Sequence, residues 1–193
     1  MRSFLLVANT AVTRPFNLNG LPNAGRMDLV CRCVAQALFI SHGIRENVNI
    51  YVLLLGPPDP PKALLIKGCE VRSMSPDERN IGGIMRKALD MSAIKLWRQS
   101  TTGVYVAKKD IDVLFKENSS PIVYLCEEGT DIRTVASKIS NGFFILGDHQ
   151  GFTSEQKARI HNHADHTISV SPNSLQADQC ITIVHNELDR ISA

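Results

Sequence analysis

The sequence predicts an α/β fold, a mostly parallel sheet covered by helices on both faces. Apolar runs of strand length alternate with stretches of helical periodicity along the 193 residues, the pattern of a parallel sheet built through crossover helices. An apolar share of 44% is enough to bury a core without disulfides or metal, as one domain over residues 1–193. Three short apolar runs near the C-terminus end in polar or glycine-bearing bends: PIVYLCEEG (121–129), GFFILGDHQGF (142–152) and HTISVSPNSLQADQC (166–180). Strand ends gathered in this way can line a crevice with backbone amides, the usual place for nucleotide-like ligands in open α/β sheets.

RSFLLVA (2–8) reads as a buried strand, and Thr10 to Gly25 as a loop carrying Pro15, Gly20 and Pro22. From Arg26 to His42 the residues Leu29, Val30, Cys33, Val34, Ala37 and Leu38 recur at helical spacing, with Gly43 as the stop. NVNIYVLLLG (47–56) is a second strand, ended by the PPDPP bend at 57–61, and ALLIKG a third. Ser75-Pro76-Asp77-Glu78 has the composition of a helix start: a hydroxyl cap, proline at the first helical position, then two acids at the positive end of the dipole. That helix is expected to run to about Trp97, with an interruption at Gly82-Gly83 left open. GVYVAKK (103–109) is a strand, DIDVLFKEN a short helix, and helices at about 131–139 and 154–163 separate the three C-terminal strands. Leu175 to Ile191 closes the chain as a helix.

Charge is distributed unevenly. Residues 1–109 hold 15 Lys/Arg against 7 Asp/Glu (+8) and residues 110–193 hold 6 against 12 (−6), which together give the net +2. A basic half suits a polyanion, whose counterions are released on binding, or is simply a solvated basic surface. Five cysteines (Cys31, Cys33, Cys69, Cys126, Cys180), odd in number and mostly set in apolar runs, suit reduced thiols and a cytoplasmic protein. The start, MRSFLLVANTAV, is too short in its apolar stretch for a signal peptide, and no run has the length of a bilayer span, so no membrane partner is expected.

His161-Asn162-His163-Ala164-Asp165-His166 fits the HxHxDH pattern of the metallo-β-lactamase superfamily. After His166 only His185, Asp178 and Asp189 remain, inside a single helix, which is too little to complete a zinc site. The reading preferred is a polar helix end leading into a strand, with no metal. Cys31 and Cys33 lie two positions apart on a helix and point to different faces. No GxGxxG, GxxxxGK[ST] or G-x-S-x-G string is present, so dinucleotide, triphosphate and serine-hydrolase sites have no support.

The three C-terminal bends could instead hold an adenine ring between apolar walls and backbone groups, with Gly147 and Gly151 allowing close approach. Glu127, Glu128 and Asp148 nearby suit a cationic ligand such as a sulfonium. Ordinary strand-to-helix turns have the same periodicity. Five stretches decide the matter by resemblance: MRSFLLVANTAVT, NAGRMDLVCRCVAQALFISHGIR, SPDERNIGG, LGDHQGF and SVSPNSLQADQCITIVHNELD. They resemble, over essentially the whole chain, the archaeal tRNA pseudouridine-54 N1-methyltransferases of the SPOUT class.

That resemblance implies a C-terminal trefoil knot within about residues 120–193 that holds S-adenosyl-L-methionine. The positions it points to are Leu125, Gly147, Val170, Ser171, Pro172, Asn173, Ser174, Leu175 and Cys180. It implies methyl transfer to N1 of a pseudouridine, at position 54 of tRNA. The alternatives are the same reaction on small-subunit ribosomal RNA, or an RNA-binding module without catalysis. Arg26-Met27-Asp28 resembles an arginine-x-aspartate element of such enzymes. Asp28 would orient or deprotonate the base and Arg26 hold a phosphate or the base oxygen; an acid at a helix start also has a purely structural use. Arg72, Arg79, Arg86 and Lys87 are candidates to track the RNA backbone, with Lys108 and Lys109 beside them. The resemblance further implies a homodimer with tRNA bound across the seam.

Overall fold

The computed structural model describes residues 1–191. In chain order it comprises β1 (Arg2–Ala8), a 3-10 turn (Leu21–Ala24), α1 (Met27–Leu38), β2 (Phe39–Ile40), β3 (Gly43–Ile44), β4 (Val48–Leu54), β5 (Lys62–Lys67) and α2 (Glu78–Leu89). There follow β6 (Arg98–Thr101), β7 (Val104–Ala107), α3 (Ile111–Glu117), β8 (Ile122–Asp131), α4 (Ile132–Ile139), β9 (Phe143–Gly147), α5 (Ser154–His163), β10 (His166–Ser169) and α6 (Ala177–Arg190).

Eight strands form one sheet in the order β10-β8-β9-β1-β4-β5-β7-β6. The pairings from β10 to β4 are parallel and those from β4 to β6 antiparallel. Chain length explains the change. A parallel return needs a crossover of a dozen or so residues, whereas 55–61 between β4 and β5, and Thr102-Gly103 between β6 and β7, can only fold straight back. The strict strand–helix alternation read from the sequence therefore fails in this half, and β6 is a strand that the sequence reading lacks.

β1 shows how the sheet is buried on both sides. Phe4, Leu6 and Ala8 point into a core shared with α1, α2, α4 and α6, while Leu5 and Val7 point into a second core under α3 and α5. All five are at most 1% exposed, which is why the strand reads as a continuous apolar run.

Helix ends differ from the sequence reading in two helices. α1 stops at Leu38 rather than His42, because Phe39-Ile40 pairs with Gly43-Ile44 in a small hairpin whose turn places His42 at φ 63°. Gly43 belongs to that hairpin. α2 starts at Glu78, with Asp77 rather than Ser75 as its cap and Pro76 outside the helix. The Asp77 carboxylate is the better-placed acceptor, taking the Asn80 N–H at 2.8 Å, and Ser75 supports it by donating to Asp77. The helix runs unbroken through Gly82-Gly83 and ends at Leu89, since 98–101 finds a better partner in β7. A Cβ at Gly82 would sit 3.3 Å from the Leu21 side chain and in ordinary contact with Cys31 Sγ at 3.6 Å, so here α2 packs closely on the 3-10 turn before α1.

His185 fastens α6 to the rest. Its Nδ1 accepts from Arg2 Nη1 at 2.5 Å and its Nε2 donates to the Ala37 carbonyl at 3.0 Å, at 3% exposure. Burial, then Arg45 and Arg2, push its pKa down to about 3. An unfolded chain binds a proton here below about pH 6.5, while the folded protein does so only near 3. Stability is therefore expected to fall as pH drops through that window, by about 1.4 kcal/mol for each unit between the two values at most. Thermal melts from pH 7 to pH 4 should show a shallower loss for His185→Gln than for the wild type; parallel curves would contradict this.

Candidate active site

A cavity of about 750 Å³ lies at the carboxyl ends of β8, β9 and β10, closed by the starts of α1 and α6. It is where a parallel sheet leaves its backbone groups open to a ligand.

The first bend is created by a break in strand pairing. β10 pairs with Val123 and Tyr124 of β8, then with Thr130 and Asp131, so residues 125–129 arch out between them. Gly129 sits against β10: an added Cβ would come within 2.4–2.7 Å of the Ile168 backbone. Ser174 donates to the Glu127 carboxylate, joining the first bend to the third.

The second bend hangs on Asp148, whose carboxylate accepts the Asn9 N–H at 2.7 Å and the Gln150 N–H at 2.9 Å. Asn9, just past β1, also donates to the Gly151 carbonyl (2.8 Å) and accepts from Gln156 (2.7 Å). Gly147 approaches Gly151 so closely that a Cβ would meet it at 2.9 Å, whereas the space beside Gly151 is open. The third bend is braced by Ser171, whose hydroxyl accepts the Asn173 N–H at 3.0 Å while its carbonyl accepts from the Ser169 hydroxyl at 2.9 Å. Gln176 and Gln179 then cap the start of α6 reciprocally.

Arg26 enters from the opposite wall. It occupies the left-handed region (φ 63°), as does Gly25 before it (φ 72°), where a side chain would strike the Thr10 carbonyl oxygen at 1.8 Å. Its guanidinium grips Asp28 in two places, Nε to Oδ1 at 3.0 Å and Nη2 to Oδ2 at 2.9 Å. Arg32 Nη1 reaches the same Oδ2 at 3.2 Å and extends the network to Glu78 (3.4 Å) and Asp178 (3.6 Å). The hydrogen bonds from Arg26 hold the Asp28 carboxyl below the ordinary carboxylate range; burial opposes this and Arg32 adds to it.

Of the residues expected from sequence, Leu125, Gly147, Val170, Ser171, Asn173, Ser174, Leu175, Cys180 and Arg26 all line the cavity. Pro172 stands in the third bend and Asp28 is buried behind Arg26; neither is in the wall. Of the acids expected near the bends, Glu127 and Asp148 reach the cavity and Glu128 does not. Sequence reasoning missed Tyr124, Cys126, His149, Gln150 and Lys157 in the wall, and Asn9 as its support. Asn9 carries no local signal, because only the adjacency of β1 and β9 gives it work to do. Burial pushes the Cys180 thiol up to about 11 and the Tyr124 hydroxyl up to about 12, so both stay protonated and uncharged at neutral pH.

Arg72, Arg79, Arg86 and Lys87 lie on α2 and the loop before it, outside the cavity. Arg79 donates to Asn19 at 2.6 Å, and Arg72 to the Cys69 and Val71 carbonyls. Lys108 and Lys109 are differently placed: Lys108 is paired with Asp59, and the buried Lys109 with Glu117 above the Trp97 ring. Their charges are neutralised within the fold. In the HNHADH string, His161 packs edge-on against Tyr124, His163 meets the Arg159 carbonyl at 2.9 Å, and Asp165 accepts the Ile122 N–H at 2.8 Å. These three serve the α5–β10 junction, and the string is a helix end.

Apolar walls from Leu125 and Leu175, a protonated Cys180, backbone at three bends and two carboxylates fit an adenosyl group carrying a positive sulfonium. The family described as "Putative SAM-dependent RNA methyltransferase" matches residues 1–193. A tRNA (pseudouridine(54)-N(1))-methyltransferase of Methanococcoides burtonii is 42% identical over 195 residues, covering 98% of this chain and 96% of that protein. Its namesake in Methanosarcina mazei is 43% identical over 196 residues, covering 100% and 93%. Among solved structures, Archaeoglobus fulgidus Nep1 bound to S-adenosylhomocysteine superposes with a TM-score of 0.64 over 99% of this chain and 98% of that one, at 14% identity. That likeness speaks for the fold.

Proposed function

The chain belongs to the family of S-adenosylmethionine-dependent RNA methyltransferases, and from that premise we propose that it methylates N1 of pseudouridine 54 in tRNA. The observation that carries this reading is the cavity among three strand-end bends with a guanidinium, Arg26, in its wall. When bound there, S-adenosylmethionine supplies the methyl group as an electrophile on sulfur. Leu125, Leu175 and Cys180 would flank the adenine, the backbone of Gly147 and of Val170 to Leu175 would meet its polar edge, and Glu127 and Asp148 would face positive charge. Arg26 would hold a base oxygen or phosphate of the RNA, and Asp28, fixed on Arg26, would keep that guanidinium aimed.

The SPOUT resemblance implies a trefoil knot, which we place where the β8–β10 pairing breaks and Gly129 lies against Ile168. We read residues 1–193 as one domain, with 120–193 as its knot and cofactor part. A homodimer is proposed because the SPOUT resemblance implies one, which would set a basic half beside an acidic one; sedimentation would measure it. A cytoplasmic setting is supported by five free thiols. Among the described residues no helix is long and apolar enough to cross a membrane.

The test is to incubate the protein with S-adenosylmethionine and tRNA bearing pseudouridine 54, with a uridine-54 control, and map the product by mass spectrometry. One methyl on the pseudouridine base alone is expected; none, or equal labelling of uridine, would refute the reading. Changing Arg79, Arg86 and Lys87 together to alanine is expected to weaken tRNA binding while leaving cofactor affinity unchanged. The slope of log affinity against log salt should fall by about 0.7–0.9 for each phosphate no longer neutralised. An unaltered slope would remove α2 from the RNA surface.

A further inference from the structure

We propose that His149 is the group that takes the proton from N1 of the bound pseudouridine, an inference that rests on the function just given. N1 carries a hydrogen that must leave as the new N–C bond forms. The electron pair of the N1–H bond stays on nitrogen, and the proton passes to an acceptor, which afterwards returns it to water. Asp28 is poorly suited: its carboxylate is gripped by Arg26 and Arg32 and does not line the cavity. Tyr124 and Cys180 line it but hold their own protons, and Arg26 and Lys157 are cations. Glu127 is bound to Ser174, and both oxygens of Asp148 accept backbone N–H groups.

His149 stands apart from these. It lines the cavity with its side chain one-third exposed, on a bend whose backbone is fixed through Asp148. Its Nδ1 lies 3.9 Å from Asp148 Oδ1, beyond hydrogen-bonding distance, so among the described residues both ring nitrogens are free of protein partners and a carboxylate stands near where imidazolium charge would develop. A neutral imidazole is a general base suited to the physiological range. The charged and titratable groups that line the cavity with it are Asp148 on its own bend, Tyr124 from β8, Cys126 and Glu127 from the first bend, Arg26 from the start of α1, Lys157 from α5 and Cys180 from α6.

The test uses the full chain with pseudouridine-54 tRNA. His149→Ala and His149→Gln are expected to lower the single-turnover methylation rate by about 10²-fold or more, while calorimetry gives S-adenosylmethionine and tRNA affinities within twofold of the wild type. Added imidazole should restore part of the rate of His149→Ala. The wild-type rate should climb with pH, a climb absent from both variants. A rate within threefold of the wild type, an unchanged pH profile, or a loss matched by equal loss of cofactor or tRNA binding would each overturn the assignment. Failure of the wild type itself to methylate would strike the proposed function instead, so the two failures are told apart.

Discussion

Arg26→Ala is expected to lower single-turnover methyl transfer by about 10²- to 10³-fold, the usual cost of removing one preorganised donor from a reacting site. Three features make this guanidinium preorganised. Gly25 and Arg26 turn the chain through the left-handed region, Asp28 holds the guanidinium by two hydrogen bonds at 2.9 and 3.0 Å, and Arg32 secures Asp28 from the other side at 3.2 Å. The variant leaves Asp28 with Arg32 as a partner, so the fold is expected to survive. Asp28→Asn separates two roles for the carboxylate. Because Arg26 holds Asp28 below the ordinary carboxylate range, it is already ionised throughout a neutral assay and has little basicity to offer. The expected result is a loss of about tenfold or more through a loosened Arg26, with the shape of the pH–rate profile retained. Loss of the rising limb of the profile in Asp28→Asn would make Asp28 the proton acceptor and Arg26 its support.

Gly129→Val should have the largest structural effect. Any Cβ there would lie 2.4–2.7 Å from the Ile168 backbone, and that neighbour is main chain of β10, which no rotamer change can move aside. β10 must shift or the arch at 125–129 must open, and both form the cavity wall. Overpacking of this kind costs about 1–3 kcal/mol or more, which for a chain of this size lowers the melting temperature by roughly 2–4 °C per kcal/mol. Cofactor binding is expected to vanish at concentrations that saturate the wild type, because the first and third bends are positioned by this close approach. A variant with normal calorimetric binding would show that the arch does not depend on it.

How much is legible in the sequence varies with the kind of information a feature needs. β1, α4 and α5 are readable nearly to the residue, since a continuous apolar run, an acid cap at Asp131 and a Thr153–Gln156 capping box are local signals. The end of α2 and the existence of β6 are not, because 90–101 has no strong local preference and its strand form depends on β7. Lys108 and Lys109 look like members of a basic surface in the linear pattern; Asp59 and Glu117, distant or hidden there, neutralise them in the fold.

The residues themselves determined most of the strands and helices, that three C-terminal bends would gather around one cavity, and, through resemblance, which reaction to expect. Periodicity and capping act between near neighbours, so they are written into any short window of the chain. Only the tertiary structure decided that Asn9 braces the second bend, that Gly129 lies against β10, and that Arg26 and His149 line the cavity while Asp28 does not. Those facts follow from the order of strands in the sheet and from hydrogen bonds between residues more than a hundred positions apart, which no local propensity encodes.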